Sequence, residues 1–431
     1  MPQLVISDKN GNLYDVPGLE AAGMKGGSFL KLTMQDLIPI PAGSELFMLP
    51  GRVPVAYDAI TKSFIRATGK VLNAKNKPYF PVAAFVSPGF TTTFNSAYLE
   101  VKKTSMLPLF SYAACAFHKG DLYAACVRTD KERRQDLKYI KIDTVKKEVE
   151  RIRKIFPRNR LARHLERCAL IYGCPAAKNF FLGRYEAPLP ASPFCNARCL
   201  GCISYQPRRR CSVTQPRITF VPDPEELAEI ALFHIKRVRD PVVSFGQGCE
   251  GEPLLVGDIL EKAIKIVRQK TKKGVINLNT NASKTKLIGK LFDAGLNSMR
   301  VSLNSARPKY YTKYYKPLDY TFTDVRRSIE IAKKKKGFVS LNYLVMPGFT
   351  DRRDEITAFT DFISAYKVDM IQWRNLNYDP VLYFKELNIP VSYPHLIGIK
   401  DLIGLIGRKF PAVMKGYFNP SKKRIERNLK R

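Results

Sequence analysis

The chain of 431 residues carries 72 Lys and Arg against 38 Asp and Glu, a net charge of +34, with 45% apolar residues. This suits a globular protein of two or three domains, and no run of eighteen apolar residues is present to span a membrane. Raising only the basic count favours polyanionic partners such as RNA, DNA, anionic lipid or an acidic protein; the plain alternative is a basic surface with no such partner. The start "MPQLVISDKNGNLYDV" lacks the basic and apolar blocks of a secretory leader, so a cytoplasmic location is expected. There, clustered cysteines serve metals or catalysis rather than disulfides.

Residues 1–105 read as a β-rich N-terminal domain: "ELFMLPGRVPVAYDAI" and "PYFPVAAFVSPGFTTTF" are short apolar runs broken by Pro and Gly. Residues 106–184 read as a short, helical, Cys-containing segment. Val145, Val149, Ile152 and Ile155 form one helical stripe, and Leu161, Leu165, Cys168, Ala169 and Tyr172 form a second that stops at Gly173. From 185 to 385 strands and helices alternate. "DPVVSFGQG", "GVINLNTNAS", "NSMRVSLNSA", "FVSLNYLVMPG" and "DMIQWRNLN" are strands, and a further strand just before Cys195 makes six. The helix at "DPEELAEIALFHIKRV" opens on Asp223, Pro224 and Glu226, a capping-box start. The alternation predicts an α/β domain with a parallel sheet, either open or a partial barrel. Residues 386–431 are an extension ending in the basic tail "SKKRIERNLKR".

"SPFCNARCLGC" brings Cys195, Cys199 and Cys202 into one loop with Cys-x3-Cys-x2-Cys spacing. Thiolates hold zinc or iron–sulfur clusters, and a structural zinc site takes four ligands where this loop offers three. Three cysteines on a four-iron cube leave one iron open. The loop stands at the first βα connection, the edge where α/β active sites form.

This spacing at the opening of a βα array resembles the radical S-adenosylmethionine (radical SAM) superfamily. The resemblance covers roughly residues 187–385. "FGQGCEGEPLL" is similar to that family's glutamate–proline turn, with Glu252 before the proline and Glu250 its rival for the methionine amino group. Asn279 and Asn281 end the third strand, and Ser302 and Asn304 leave the fourth toward the ribose or carboxylate. The family usually has an aromatic residue before the third cysteine. Gly201 stands there, with Ile203 or Tyr205 as substitutes. The resemblance implies a partial (β/α)6 barrel and a 4Fe–4S cluster on the three cysteines. It also implies reductive cleavage of SAM to a 5′-deoxyadenosyl radical and a flavodoxin- or ferredoxin-like electron donor. It leaves the substrate open. Charge points to RNA or another polyanion, and a peptide, lipid or small molecule is the alternative. A nucleic-acid-binding module with a structural metal is the reading from another class.

Cys115, Cys126, Cys168 and Cys174 lie upstream as two pairs, the set an auxiliary iron–sulfur cluster needs, with structural zinc or simple burial as the other readings. Cys211 and Cys249 are packed or reactive thiols. Arg208, Arg209 and Arg210 suit an anion or a solvated charge run. Tyr310, Tyr311, Tyr314 and Tyr315 interleave with lysines and suit stacking on bases or, at helical spacing, core packing. His118, His164, His234 and His395 show no metal spacing in the sequence.

Overall fold

The computed structural model describes residues 1–68, 78–101, 104–207 and 211–429; the arginine run at 208–210 lies outside the described residues. Among the described residues, twelve strands between Gln3 and Ala124 form one antiparallel sheet, and Phe90–Thr92 pairs separately with Cys126–Arg128. Antiparallel strands therefore continue past residue 105 to Arg128. The last strands of the large sheet, Ala113–His118 and Asp121–Ala124, close a hairpin in which Cys115 faces Ala124. Small residues (Ala83, Ala84, Ala113, Ala114, Ala116, Ala124 and Ala125) fill its buried positions, so the layers pack closely.

Three helices follow, Ile142–Ile155, Arg160–Leu170 and Pro175–Phe181. The first two bury the apolar stripes their sequence presents, Ile155 excepted, which is exposed, and Tyr172, which lies just beyond the second helix. The α/β domain then forms a seven-stranded sheet, parallel throughout and ordered as in the chain: Glu186–Pro188, Val242–Phe245, Val275–Thr280, Ser298–Leu303, Phe338–Val345, Met370–Asn375 and Met414–Gly416. Helices between the strands cover its outer face. The helix Pro224–Arg237 carries the expected capping box between Asp223 and Glu226. The seventh strand adds one to the expected six. It spans three residues without a β-branched side chain, so only its pairing with Met370–Gln372 identifies it.

A polar ladder crosses the inner face of this sheet. Ser244 Oγ donates to Glu186, Ser298 Oγ to Asn277 at 2.8 Å, and Asn277 Nδ2 to Asn279 at 2.7 Å. Asn419, just past the seventh strand, donates to Glu186 at 2.7 Å and accepts from Gln372 at 2.9 Å. The C-terminal segment thus ties the first strand to the sixth across the barrel floor.

The N-terminal domain docks at the sixth strand. Arg52 pairs with Asp379 at 2.8 Å, both side chains 1% exposed, and Asp379 also accepts from the Leu107 amide at 3.1 Å. Thr91 Oγ1 donates to the Trp373 carbonyl at 2.9 Å, and the Thr92 amide to Asn375 at 2.8 Å. No helix among the described residues is long and apolar enough to cross a membrane.

Candidate active site

The loop after the first strand carries the three cysteines and is held from two sides. Gly251 and Glu252 donate their amides to the Ser192 and Phe194 carbonyls at 2.6 and 2.7 Å. On the other side Arg198 and Leu200 donate to the Tyr315 and Tyr314 carbonyls, both at 3.0 Å. Asn196 Nδ2 reaches Ser283 at 3.0 Å and Asp319 at 2.6 Å. Two glycines make this approach available. A Cβ on Gly251 would stand 1.9 Å from the Phe194 carbonyl oxygen, and one on Gly246, at φ +78°, 1.8 Å from that of Asn279.

Cys195, Cys199 and Cys202 are half-buried and line a cavity of about 260 Å³ at the C-terminal edge of the parallel sheet. Its walls are the turn 246–253, the exits of the third and fourth strands, and Tyr314 and Tyr315. Burial pushes the Cys195 thiol up to about 11 and Cys199 well above the usual thiol range. The Arg217 guanidinium donates to Cys202 Sγ at 3.5 Å. Three thiols converging on one cavity suit a soft metal centre, which binds thiolates.

Both expected glutamates are buried beside this cavity, and both carboxylates are engaged by the protein itself. Glu250 accepts from the amides of Ala191 at 2.8 Å, Ser192 at 3.1 Å and Gln247 at 2.6 Å. Glu252 accepts from the amides of Leu254 at 3.1 Å and Asn281 at 2.8 Å and from the Thr280 hydroxyl. Burial pushes Glu250 up to about 8 and Glu252 up to about 7, while the amide donors pull both back. Glu250 ties the turn to the exit of the first strand, and Glu252 ties it to the exit of the third.

Asn279, Asn281 and Ser302 line the cavity. Asn279 Nδ2 donates to the Gly246 carbonyl at 2.9 Å, and Asn281 Nδ2 to Asn196 at 2.8 Å. Asn304 does not line it. The chain leaves the strand at Leu303, and Asn304 is fully buried, donating to the Tyr310 carbonyl and the Tyr383 hydroxyl, each at 3.2 Å. Ile203 lines the cavity, whereas Tyr205 is exposed, its ring beneath Arg217. The space beside Gly201 belongs to Tyr314, whose hydroxyl would lie 2.7 Å from a Cβ there.

The four upstream cysteines are not brought together. Cys115 and Cys126 share a packing cluster inside the N-terminal sheet with Ala84, Val86, Ala113 and Ala124. Cys168 and Cys174 belong to the core of the α/β domain. The reason is topological: the hairpin containing Cys115 is bonded into the β domain before the helical segment begins.

Arg300 and Asn342 also line the cavity, and Arg300 Nε and Asn342 Oδ1 are buried without a hydrogen-bond partner. Arg300 donates through Nη1 to Gln372 at 3.1 Å, and burial lowers it to about 9. Period-two alternation was the available signal: Arg300 shares a face with Ser302, and Asn342 with Leu344. Unpartnered polar atoms in a concave site beside three thiols fit a polar ligand bound next to a metal cluster.

Residues 189–360 match the family model described as the radical SAM superfamily. A search of curated proteins returned no match. Among solved structures the chain is similar to native anSMEcpe with bound AdoMet, at 16% identity over 54% of this chain and 63% of that one, TM-score 0.39. It is also similar to SuiB of Streptococcus suis bound to the precursor peptide SuiA (14% identity, 58% and 50% covered, TM-score 0.36) and to HydG, a maturase of the FeFe-hydrogenase (16% identity, 65% and 63% covered, TM-score 0.38). The chain thus spans between 50% and 63% of the length of these three structures. Residues 189–360 thus form a radical SAM domain, the part of the chain that the family model covers.

Proposed function

We propose that Cys195, Cys199 and Cys202 hold a 4Fe–4S cluster, that SAM occupies the adjoining cavity, and that the substrate is RNA or another polyanion. The observation that carries the site reading is the convergence of three loop thiols on a cavity in which Arg300 Nε and Asn342 Oδ1 lack partners. When bound, the cluster and SAM supply one-electron reduction and hydrogen-atom abstraction.

The chain's own residues orient and shield. The turn 246–253 sits beside the cluster loop, with its two carboxylates spent on holding it in place. Glu250 and Glu252 then act on SAM by positioning the backbone groups of the turn. Tyr314 offers an aromatic wall beside Gly201, where an adenine would pack. Asn342 and Arg300 offer an acceptor and a cation to the ribose and carboxylate. Tyr310 and Tyr311 are buried in packing, which removes them from base stacking.

The polyanion reading rests on the net charge of +34. Cross-linking followed by sequencing of bound RNA tests it. Enrichment of one RNA class over a Cys195/Cys199/Cys202→Ala control is expected if catalysis and recognition cooperate. Salt-sensitive binding without enrichment of any class, or recovery of a peptide as the species modified, would replace it.

A further inference from the structure

A second set of metal-binding groups lies behind the turn 246–253. His164 and Cys168, from the helix Arg160–Leu170, and Cys249, from the turn, each bring one ligand atom into a group whose members all lie within 4.8 Å of one another. His164 Nε2 is 3.5 Å from Cys168 Sγ. The i,i+4 spacing puts these two on one helical face. Cys168 and Cys249 are 1% and 3% exposed. The chain then turns at Gly173, φ +65°, and the Cys174 amide donates to the Cys168 carbonyl at 2.9 Å. This returns Cys174 to the same core, within electrostatic reach of Cys168 and Cys249.

We propose that His164, Cys168 and Cys249, completed by Cys174, bind a single zinc ion. Thiolate and imidazole are the donors that zinc takes, and four such ligands make a closed structural site. Spacing separates this from a second cluster. A tetrahedral zinc with Zn–S of ~2.3 Å holds its ligand atoms about 3.8 Å apart, a spacing that the atoms of His164, Cys168 and Cys249, all within 4.8 Å of one another, can meet, whereas Cys174 lies outside that group and joins it by a side-chain movement on metal binding. A four-iron cube sets each cysteine on a different iron and spreads the sulfurs well beyond it. Cys115 and Cys126, the other pair considered for an upstream cluster, take no part. The ion would staple the helical segment to the turn that faces the SAM cavity, so the strand exit and the helices move as one body. The site does not depend on SAM cleavage.

Metal analysis of anaerobically purified full-length protein tests the proposal. About one zinc per chain is expected beside the iron of the cysteine loop, and it should persist after brief chelator treatment. The Cys195/Cys199/Cys202→Ala variant should lose iron and keep zinc, which separates this site from the cluster reading. Cys168→Ser and Cys249→Ser should lose zinc and keep iron. Because these variants could misfold, cobalt substitution of wild-type protein is the independent arm: intense tetrahedral d–d bands with thiolate-to-cobalt charge transfer are expected. Absence of both zinc and the cobalt bands in wild type would make the group a packed thiol pair. Iron rising to about eight per chain, and falling by about four in Cys168→Ser, would make it a cluster. Either result overturns the proposal.

Discussion

Asn342 is the most economical probe of the cavity. Its Oδ1 is buried and unpartnered, so a ligand that donates to it gains a hydrogen bond without breaking one inside the protein. Asn342→Leu keeps the volume and removes the acceptor. SAM binding, followed by calorimetry on cluster-loaded protein, should weaken about tenfold, the worth of one hydrogen bond of ~1–1.5 kcal/mol, with iron content unchanged. Equal affinity would remove Asn342 from the site. A second residue tests the fold rather than the site. His234 is fully buried, its Nε2 lies 3.3 Å from the Tyr185 carbonyl, and burial lowers it to about 3. The folded state keeps it neutral while an unfolded chain protonates it near 6.5, so its penalty is absent above that pH and grows as pH falls toward 3. His234→Gln keeps a donor and cannot titrate. Between pH 6.5 and 4, denaturant melts should show wild type losing about 3 kcal/mol more than the variant. Parallel pH profiles would contradict this.

At the scale of elements, what the sequence made legible was what is local. The five strands from Val242 to Asn375 and the helices between them follow from periodicity and capping residues within each segment. The three loop cysteines were legible for the same reason. The seventh strand was not, because Met414–Gly416 is a strand only through its neighbour. Asn304, named from the resemblance at the exit of the fourth strand, lies one residue past that strand's end and is buried against Tyr310 and Tyr383. His164 and Cys168 carried an i,i+4 signal, but their partner Cys249 is distant in sequence and nothing local links them. The contact between the cysteine loop and the acidic turn is likewise non-local, and Gly251 is its tightest point. Gly251→Ala would drive a methyl into the Phe194 carbonyl and push the loop off the turn. Reconstituted variant should hold less than half the wild-type iron while far-ultraviolet circular dichroism is preserved. Full iron loading would show that the turn tolerates displacement.

For the whole molecule, the β domain and the partial barrel are joined at a buried ion pair. Arg52 also donates through Nη1 and Nη2 to the Pro50 and Ser105 carbonyls at 3.0 Å, while its Nε is buried without a partner, so Asp379 is its main counter-charge. Removing one member of such a pair strands the other charge, at a cost of roughly 3–5 kcal/mol. Asp379→Ala should therefore lower the denaturation midpoint and expose the junction to proteolysis, whereas a double Arg52→Met, Asp379→Leu variant should recover part of the loss. Equal behaviour of the two variants would mean that the pair is not buried in solution. The central claim is that this architecture delivers SAM to a cluster held by Cys195, Cys199 and Cys202. It is tested most directly by incubating anaerobically reconstituted protein with SAM and dithionite and quantifying 5′-deoxyadenosine. Wild type should form it, and the Cys195/Cys199/Cys202→Ala variant should form none above the buffer blank; equal amounts from both would contradict the account.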